Sequence, residues 1–260
     1  METIVCGDIH GRQFWRKLLD DKTDRTIVFL GDYLDPYYDV KPRDAINNFL
    51  DILDFAENNS RVKLLIGNHD RFGICGDLCC RHDFSNRAEI EQIYKEYAHL
   101  LNYAYQENNA LFTHAGVSDD WIKNYDLQFI NQDNIVEYLN SNPSTLWKIG
   151  RSRGGRDFAS CPLWQCWYGD WPYDNNPFNL TQIFGHSQLM LNQPSCDEEK
   201  RIINCDCREV LIWDGKNIKL FYFVQCNLYH MVFHNEKYIH RFQKRQQFVS
   251  WFFHISNLFE

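Results

Sequence analysis

The chain has 260 residues, of which 44% are hydrophobic and 24% charged, with a formal net charge of -8. This places it among globular proteins long enough for one large domain, and the acidic balance argues against tight non-specific binding of nucleic acid, which needs a strongly basic face. The first residues lack a basic segment followed by a long apolar run, and no stretch is apolar for long enough to cross a bilayer. With ten cysteines and no export signal, the expectation is a cytoplasmic protein with reduced thiols and no membrane partner.

Thr3-Ile4-Val5-Cys6 is a short apolar run that breaks at Gly7-Asp8-Ile9-His10-Gly11. Phe14, Trp15, Leu18 and Leu19 then recur at helical spacing, so a strand, a tight turn and a helix are predicted. Thr26-Ile27-Val28-Phe29-Leu30 repeats the pattern and ends in Gly31-Asp32-Tyr33-Leu34-Asp35. A second helix follows, with Pro42 in its first turn and Ile46, Phe49, Leu50 and Leu53 as one apolar stripe. The third strand, Val62-Lys63-Leu64-Leu65-Ile66, runs into Gly67-Asn68-His69-Asp70. This alternation predicts a parallel β-α-β-α-β sheet.

Beyond it the spacing predicts a helix over 87–101, a fourth strand over 110–113 ending in His114-Ala115-Gly116, and a helix over 134–139. The Gly-, Arg-, Trp- and Pro-rich stretch 151–179, which holds Trp164, Trp167, Trp171 and Pro172, reads as a long ordered loop, a kind that often carries function. A fifth strand over 182–184 ends in Gly185-His186-Ser187-Gln188. Segments 201–205, 210–213 and 218–223 read as antiparallel strands, with Asp214-Gly215 as a hairpin turn. One domain is expected over 1–224. The tail 225–260, amphipathic over 248–259, is expected to pack on the domain or on a second copy.

Five predicted strand ends thus deliver Asp8, His10, Asp32, Asn68, His69, His114 and His186. Singly, Asp or Asn after Gly is ordinary turn chemistry. Together they supply the O and N donors that two divalent cations need, with a carboxylate able to bridge. Two divalent ions against two carboxylates leave excess positive charge, which suits a bridging hydroxide and an anionic substrate in two-metal phosphate-ester hydrolysis. Cys75, Cys79, Cys80 and His82 are also close in sequence, but their spacing fits no standard zinc knuckle.

The series Gly7-Asp8-Ile9-His10-Gly11, Gly31-Asp32-Tyr33-Leu34-Asp35, Gly67-Asn68-His69-Asp70, His114-Ala115-Gly116 and Gly185-His186 resembles the calcineurin-like metallophosphoesterase superfamily. Within it, the wording is most similar to the bacterial-type phosphoprotein (serine/threonine) phosphatase branch. The resemblance implies an α/β fold, a four-layer αββα sandwich with mixed sheets. It implies that Asp8 and His10 bind a first metal, that Asp32 bridges, and that Asn68, His114 and His186 bind a second. His69 is then the general acid, oriented by Asp35, while a metal-bound hydroxide attacks phosphorus. The metals expected are manganese first, with iron or zinc as alternatives, and the substrate is a phosphorylated protein or a small phosphate ester.

Two positions depart from the pattern. Gln188 stands where many members have another His, which is consistent with the phosphatase branch. Pro36 stands where that branch has the Arg that grips phosphate. Another guanidinium is expected in that role, Arg153 first, then Arg156, with Arg71 and Arg43 behind. The competing readings are a dinucleoside polyphosphate hydrolase, with adenine stacked on the Trp-rich loop, a phosphodiesterase or nuclease, and a non-catalytic binding protein on the same fold.

Overall fold

A computed structural model describes residues 2–77, 81–166 and 175–221. Cys79, Cys80, Trp167, Trp171, Pro172 and the expected tail helix lie outside them. The first strands form where the alternation of apolar runs and glycine breaks places them: β1 (Thr3–Cys6), β2 (Thr26–Phe29), α1 (Pro42–Glu57) and β3 (Val62–Leu65). β1, β2 and β3 are parallel, with Ile4 opposite Ile27 and Ile27 opposite Val62. Between β1 and β2 the chain makes a 3-10 turn over Phe14–Leu18 rather than an α-helix. The Trp15 indole there donates to Asn48 of α1, and the Asn48 amide donates to the Arg12 carbonyl. That bridge fixes the turn against α1.

After β3 come α2 (Arg71–Cys75), α3 (Arg87–Glu96), β4 (Leu101–Asn102), β5 (Ala104–Glu107) and β6 (Ala110–Thr113). α4 (Asp119–Asn124), α5 (Ile135–Ser141) and β7 (Thr181–Phe184) follow. The chain then forms β8 (Ser195–Asp197), β9 (Ile202–Asn204), β10 (Val210–Trp213) and β11 (Ile218–Leu220). One sheet runs β11-β10-β1-β2-β3-β4 and the other β5-β6-β7-β9-β8. Both mix parallel and antiparallel pairs.

The helix predicted over 87–101 stops at Glu96. Leu101 leaves the helical register to pair with Leu64 at the sheet edge, and three residues later the chain enters the second sheet, where Ala104 pairs with Thr113. Tyr97 and Leu101 keep helical spacing, so the apolar pattern alone does not reveal the crossover. The three late segments also divide. β9 runs parallel to β7 in the second sheet, whereas β10 and β11 complete the first.

Side-chain alternation along the strands makes the layers. Ile4, Cys6, Ile27, Phe29 and Leu64 face α1 and α3, packing on Phe49, Ile52, Leu53, Ile90 and Tyr94. Val5, Val28, Leu30 and Leu65 face the other sheet, against Ala110, Phe112, Ile183 and Ile203. Leu111 on the far side of the second sheet packs with Trp121, Ile122, Ile135 and Leu139 of α4 and α5. The result is helix, sheet, sheet, helix. Glu107 at the end of β5 ties the sheets, accepting from Thr3 Oγ1 at 2.7 Å and Thr26 Oγ1 at 2.8 Å.

Phe49 is fully buried and stacks on Tyr33, the residue after Asp32, with ring centroids 4.6 Å apart. Phe49→Ala is expected to cost about 3–5 kcal/mol through the cavity it leaves, read as a lower urea midpoint at unchanged slope.

Candidate metal centre

The carboxyl ends of strands from both sheets meet at one rim. Asp8 and His10 follow β1, Asp32 and Asp35 follow β2, Asn68 and His69 follow β3, His114 follows β6 and His186 follows β7. The turns that aim these side chains are strained: His10, Asp32, Asp35 and His186 have φ of 44, 56, 56 and 66°. Such left-handed conformations in residues other than glycine concentrate at functional sites. Bare glycines give the carboxylates room. A Cβ on Gly67 would strike Asp32 Oδ1, and one on Gly185 would strike Asp8 Oδ1.

The donor atoms fall into two groups that share Asp32. In the first, His10 Nε2 lies 3.5 Å from Asp32 Oδ2 and 3.9 Å from Asp8 Oδ2. In the second, Asn68 Oδ1 is 2.9 Å from His114 Nε2 and 2.7 Å from His186 Nδ1, which are 3.1 Å from each other. Asp32 Oδ2 is 3.6 Å from His114 Nε2. Donors about 2.1 Å from one ion and at right angles lie about 3 Å apart, as these do.

Protonation makes the fit specific. His10 Nδ1–H donates to the Leu34 carbonyl at 2.9 Å and His114 Nδ1–H to the Leu30 carbonyl at 2.8 Å, which leaves both Nε2 atoms as lone pairs. Burial pushes the His114 pKa down to about 3, so its ring is neutral. His114 Nε2 and Asn68 Oδ1 are therefore two acceptors facing each other at 2.9 Å, an arrangement that a cation between them satisfies. His10 and His186 are likewise held neutral by burial, with His69 and His114 respectively adding to the effect.

The carboxylates show the complementary stress. Burial, then Asp206, pushes Asp8 well above the usual carboxylate range; burial, then Asp8 and Asp70, does the same to Asp32. Asp206, just past β9, is raised to about 6, because burial outweighs nearby Arg12. Crowded buried carboxylates beside neutral imidazoles need positive charge. The residues fit two divalent cations.

The His69 ring shares a second cluster with His10 and Asp32, their nitrogen and oxygen atoms lying within 4.8 Å of one another. His69 Nδ1 bonds to Asp35 Oδ2 at 2.7 Å. Burial raises the Asp35 carboxyl, but the His69 and His82 imidazoles beside it outweigh that and hold Asp35 below its ordinary value. Of the arginines, Arg153 reaches the rim: its Nη2 donates to Ser187 Oγ at 2.5 Å, and its charge bears on His114, His186 and Asp206. Arg156 is exposed. Arg71 is buried on Asp77 and the Leu146 carbonyl, and Arg43 pairs with Glu89.

Sequence reasoning missed several groups. Asp206 carries the signal used for the other sites, a carboxylate just past a strand, on a segment read as one of three antiparallel strands but found parallel to β7. Arg12 and Arg81 lie with their guanidiniums 4.7 and 4.0 Å from the Tyr37 ring centroid, and Tyr37 packs edge-on against His10. Cys75 bonds to the Arg71 carbonyl, and His82 turns to Asp35.

Neutral imidazoles, an amide oxygen and shared carboxylates at the strand ends of a four-layer sandwich define a hydrolase that works with divalent cations. The profile of the calcineurin-like phosphoesterase family matches residues 1–189. The chain belongs to that family, whose members hydrolyse phosphoesters with metals and usually bind two divalent ions. The match spans Asp8 through His186 and ends short of Asp206. A comparison with curated proteins finds no match. Among the described residues, no helix is long and apolar enough to cross a membrane.

The carboxyl cluster links metal binding to protons. In the metal-free protein, a carboxyl with a raised pKa contributes stability in full below its ordinary value near 4. For Asp206 that contribution is lost as pH rises through about 6. Cations favour the ionised form. Metal loading is therefore expected to release more protons at pH 6 than at pH 8, and affinity is expected to fall as pH drops below 6. Calorimetry in buffers of different ionisation enthalpy measures both.

Proposed function

We propose that the chain hydrolyses phosphomonoesters, in the manner of a serine/threonine protein phosphatase. The observation that carries this reading is the His69–Asp35 pair beside the metal ligands, at 2.7 Å. Bound divalent cations supply an activated water and neutralise the phosphoryl group. The remaining work falls to the chain. Asp35 is held ionised, so it fixes His69 with Nδ1 protonated and keeps the other ring nitrogen for the leaving oxygen. A monoester dianion needs further positive charge, which Arg153 offers from the His186 side. Gln188 in place of another His fits the same branch. Arg153 takes the part that Pro36 leaves open.

A second reading, hydrolysis of a dinucleoside polyphosphate, is favoured by Tyr37 with Arg12 and Arg81 against its ring. Two guanidiniums there suit a substrate with more than one phosphate. The Trp-rich stretch 167–174, on which an adenine was expected to stack, lies outside the described residues.

The test is turnover by purified, manganese-loaded protein of p-nitrophenyl phosphate, a phosphoserine peptide, diadenosine tetraphosphate and bis-p-nitrophenyl phosphate. Monoester and phosphopeptide turnover is expected to exceed diester turnover. His69→Asn is expected to lower kcat by about 10²–10⁴ with metal content unchanged. Asp32→Asn is expected to lose both metal and activity. Preference for the diester, or no turnover by metal-loaded protein, overturns the reading; preference for the tetraphosphate selects the second one.

Arg153→Ala is expected to raise KM for the phosphopeptide about tenfold or more, in line with loss of one charged hydrogen bond. Steady-state kinetics on wild type and variant compare the two directly.

A further inference from the structure

Asp35 is held from two sides. Its Oδ2 is 2.7 Å from His69 Nδ1 and also 2.7 Å from His82 Nδ1, and the carboxylate is 4% exposed. The His69 contact is a hydrogen bond and the His82 contact a close ion pair. His82 comes from a different part of the chain, and its side chain is fully buried.

The segment around His82 is built to hold that ring still. Asp83 caps the turn Phe84–Asn86, accepting from the backbone N–H groups of Ser85 and Asn86. The His82 ring stacks flat on Phe72 of α2, centroids 4.1 Å apart and planes 11° apart, and Phe84 meets it edge-on. The residue before it, Arg81, donates from Nε to the Asp35 main-chain carbonyl at 3.2 Å. Side chain and backbone of Asp35 are thus both gripped by consecutive residues. Asp35 needs such support: its φ of 56° is strained for a residue with a Cβ, and Pro36 follows it.

We propose that His82 is a positioning residue for the phosphoester hydrolysis: it locks the Asp35 carboxylate in the orientation that aims His69 at the leaving oxygen. The functional unit is His82–Asp35–His69. This rests on the reading of His69 as the general acid. Among the described residues the His82 ring meets Asp35, Phe72 and Phe84, and its action on His69 runs through Asp35. Phe72, on the helix that begins directly after Asp70, couples this support to the metal-bearing loop.

The test uses full-length, metal-loaded protein with His82→Phe, which keeps a ring on Phe72 but removes its nitrogens, and His82→Asn, which restores an N–H donor. Rates are measured on p-nitrophenyl phosphate and phenyl phosphate. They present the same phosphoryl group, but phenolate is the poorer leaving group and depends more on a general acid. His82→Phe is expected to lower kcat about tenfold on phenyl phosphate and less than threefold on p-nitrophenyl phosphate, with KM and metal content unchanged. His82→Asn is expected to recover part of the loss. In a His69→Asn background, adding His82→Phe is expected to change the rate less than twofold, since a residue acting through another has nothing left to act on.

A readout independent of turnover is the His69 ring signal in metal-free protein labelled with ¹⁵N-histidine. His82→Phe is expected to shift it while the His114 signal stays in place. Equal losses on both substrates, the same tenfold loss in the His69→Asn background, or an unmoved His69 signal overturns the proposal. If His69→Asn itself leaves phenyl phosphate turnover intact, the general-acid reading falls and the role of His82 falls with it. If His69→Asn is impaired and His82→Phe behaves as wild type, only the role of His82 falls.

Discussion

The rim depends on the buried carboxylate of Asp70. Its Oδ2 accepts from the backbone of Asp32 at 2.8 Å and Gly67 at 2.7 Å, and its Oδ1 from the backbone of Tyr33 at 3.0 Å and the Tyr94 hydroxyl at 2.5 Å. One side chain thereby clamps the loop after β2 to the loop after β3 and to α3. Asp32 returns the favour by accepting from the His69 backbone at 2.9 Å. A fully buried anion is costly unless its lone pairs are satisfied, so the exchange is stabilising only while every donor is present. This rigidity lets Asp32 serve both donor groups without collapsing onto either.

The second constraint is charge. Asp8, Asp32 and Asp206 are driven toward their neutral forms, and His10, His114 and His186 toward theirs. Arg12, Arg153 and Arg208 offset the stress on Asp206 only in part, and divalent cations between the two sets of groups would relieve both stresses at once. Arginines enter only at the border: Arg153 from the His186 side, Arg12 and Arg81 around Tyr37. The centre gathers groups that fit divalent cations and the margin carries the arginines, a division that matches the needs of phosphoryl transfer.

The His69–Asp35 pair stands where these two zones meet. His69 neighbours Asn68 in sequence, yet its ring is turned to Asp35, from another strand end. Strained turns at His10, Asp32, Asp35 and His186 are the cost of aiming so many polar groups at one point. The packed aromatic layer of Tyr33, Phe49 and Tyr94 beneath the rim offsets that strain by burial.

The local text determined β1, β2 and β3, the helix beginning at Pro42, and the placing of Asp8, His10, Asp32, Asn68, His114 and His186 at strand ends, because apolar runs and glycine breaks act over a few residues. It also marked His69 and Asp35 as a pair through their resemblance to a known motif. Tertiary structure alone decided the rest. Leu101 joined a sheet edge although its spacing is helical, β9 chose β7 rather than β10, Asp206 came to lie against Asp8, and Arg153 rather than Arg156 turned inward. His82 left a cysteine-rich neighbourhood for Asp35. Each of these is a choice among partners distant in sequence, settled by which edge, cavity or charge is still unsatisfied when the layers close. No local pattern encodes that.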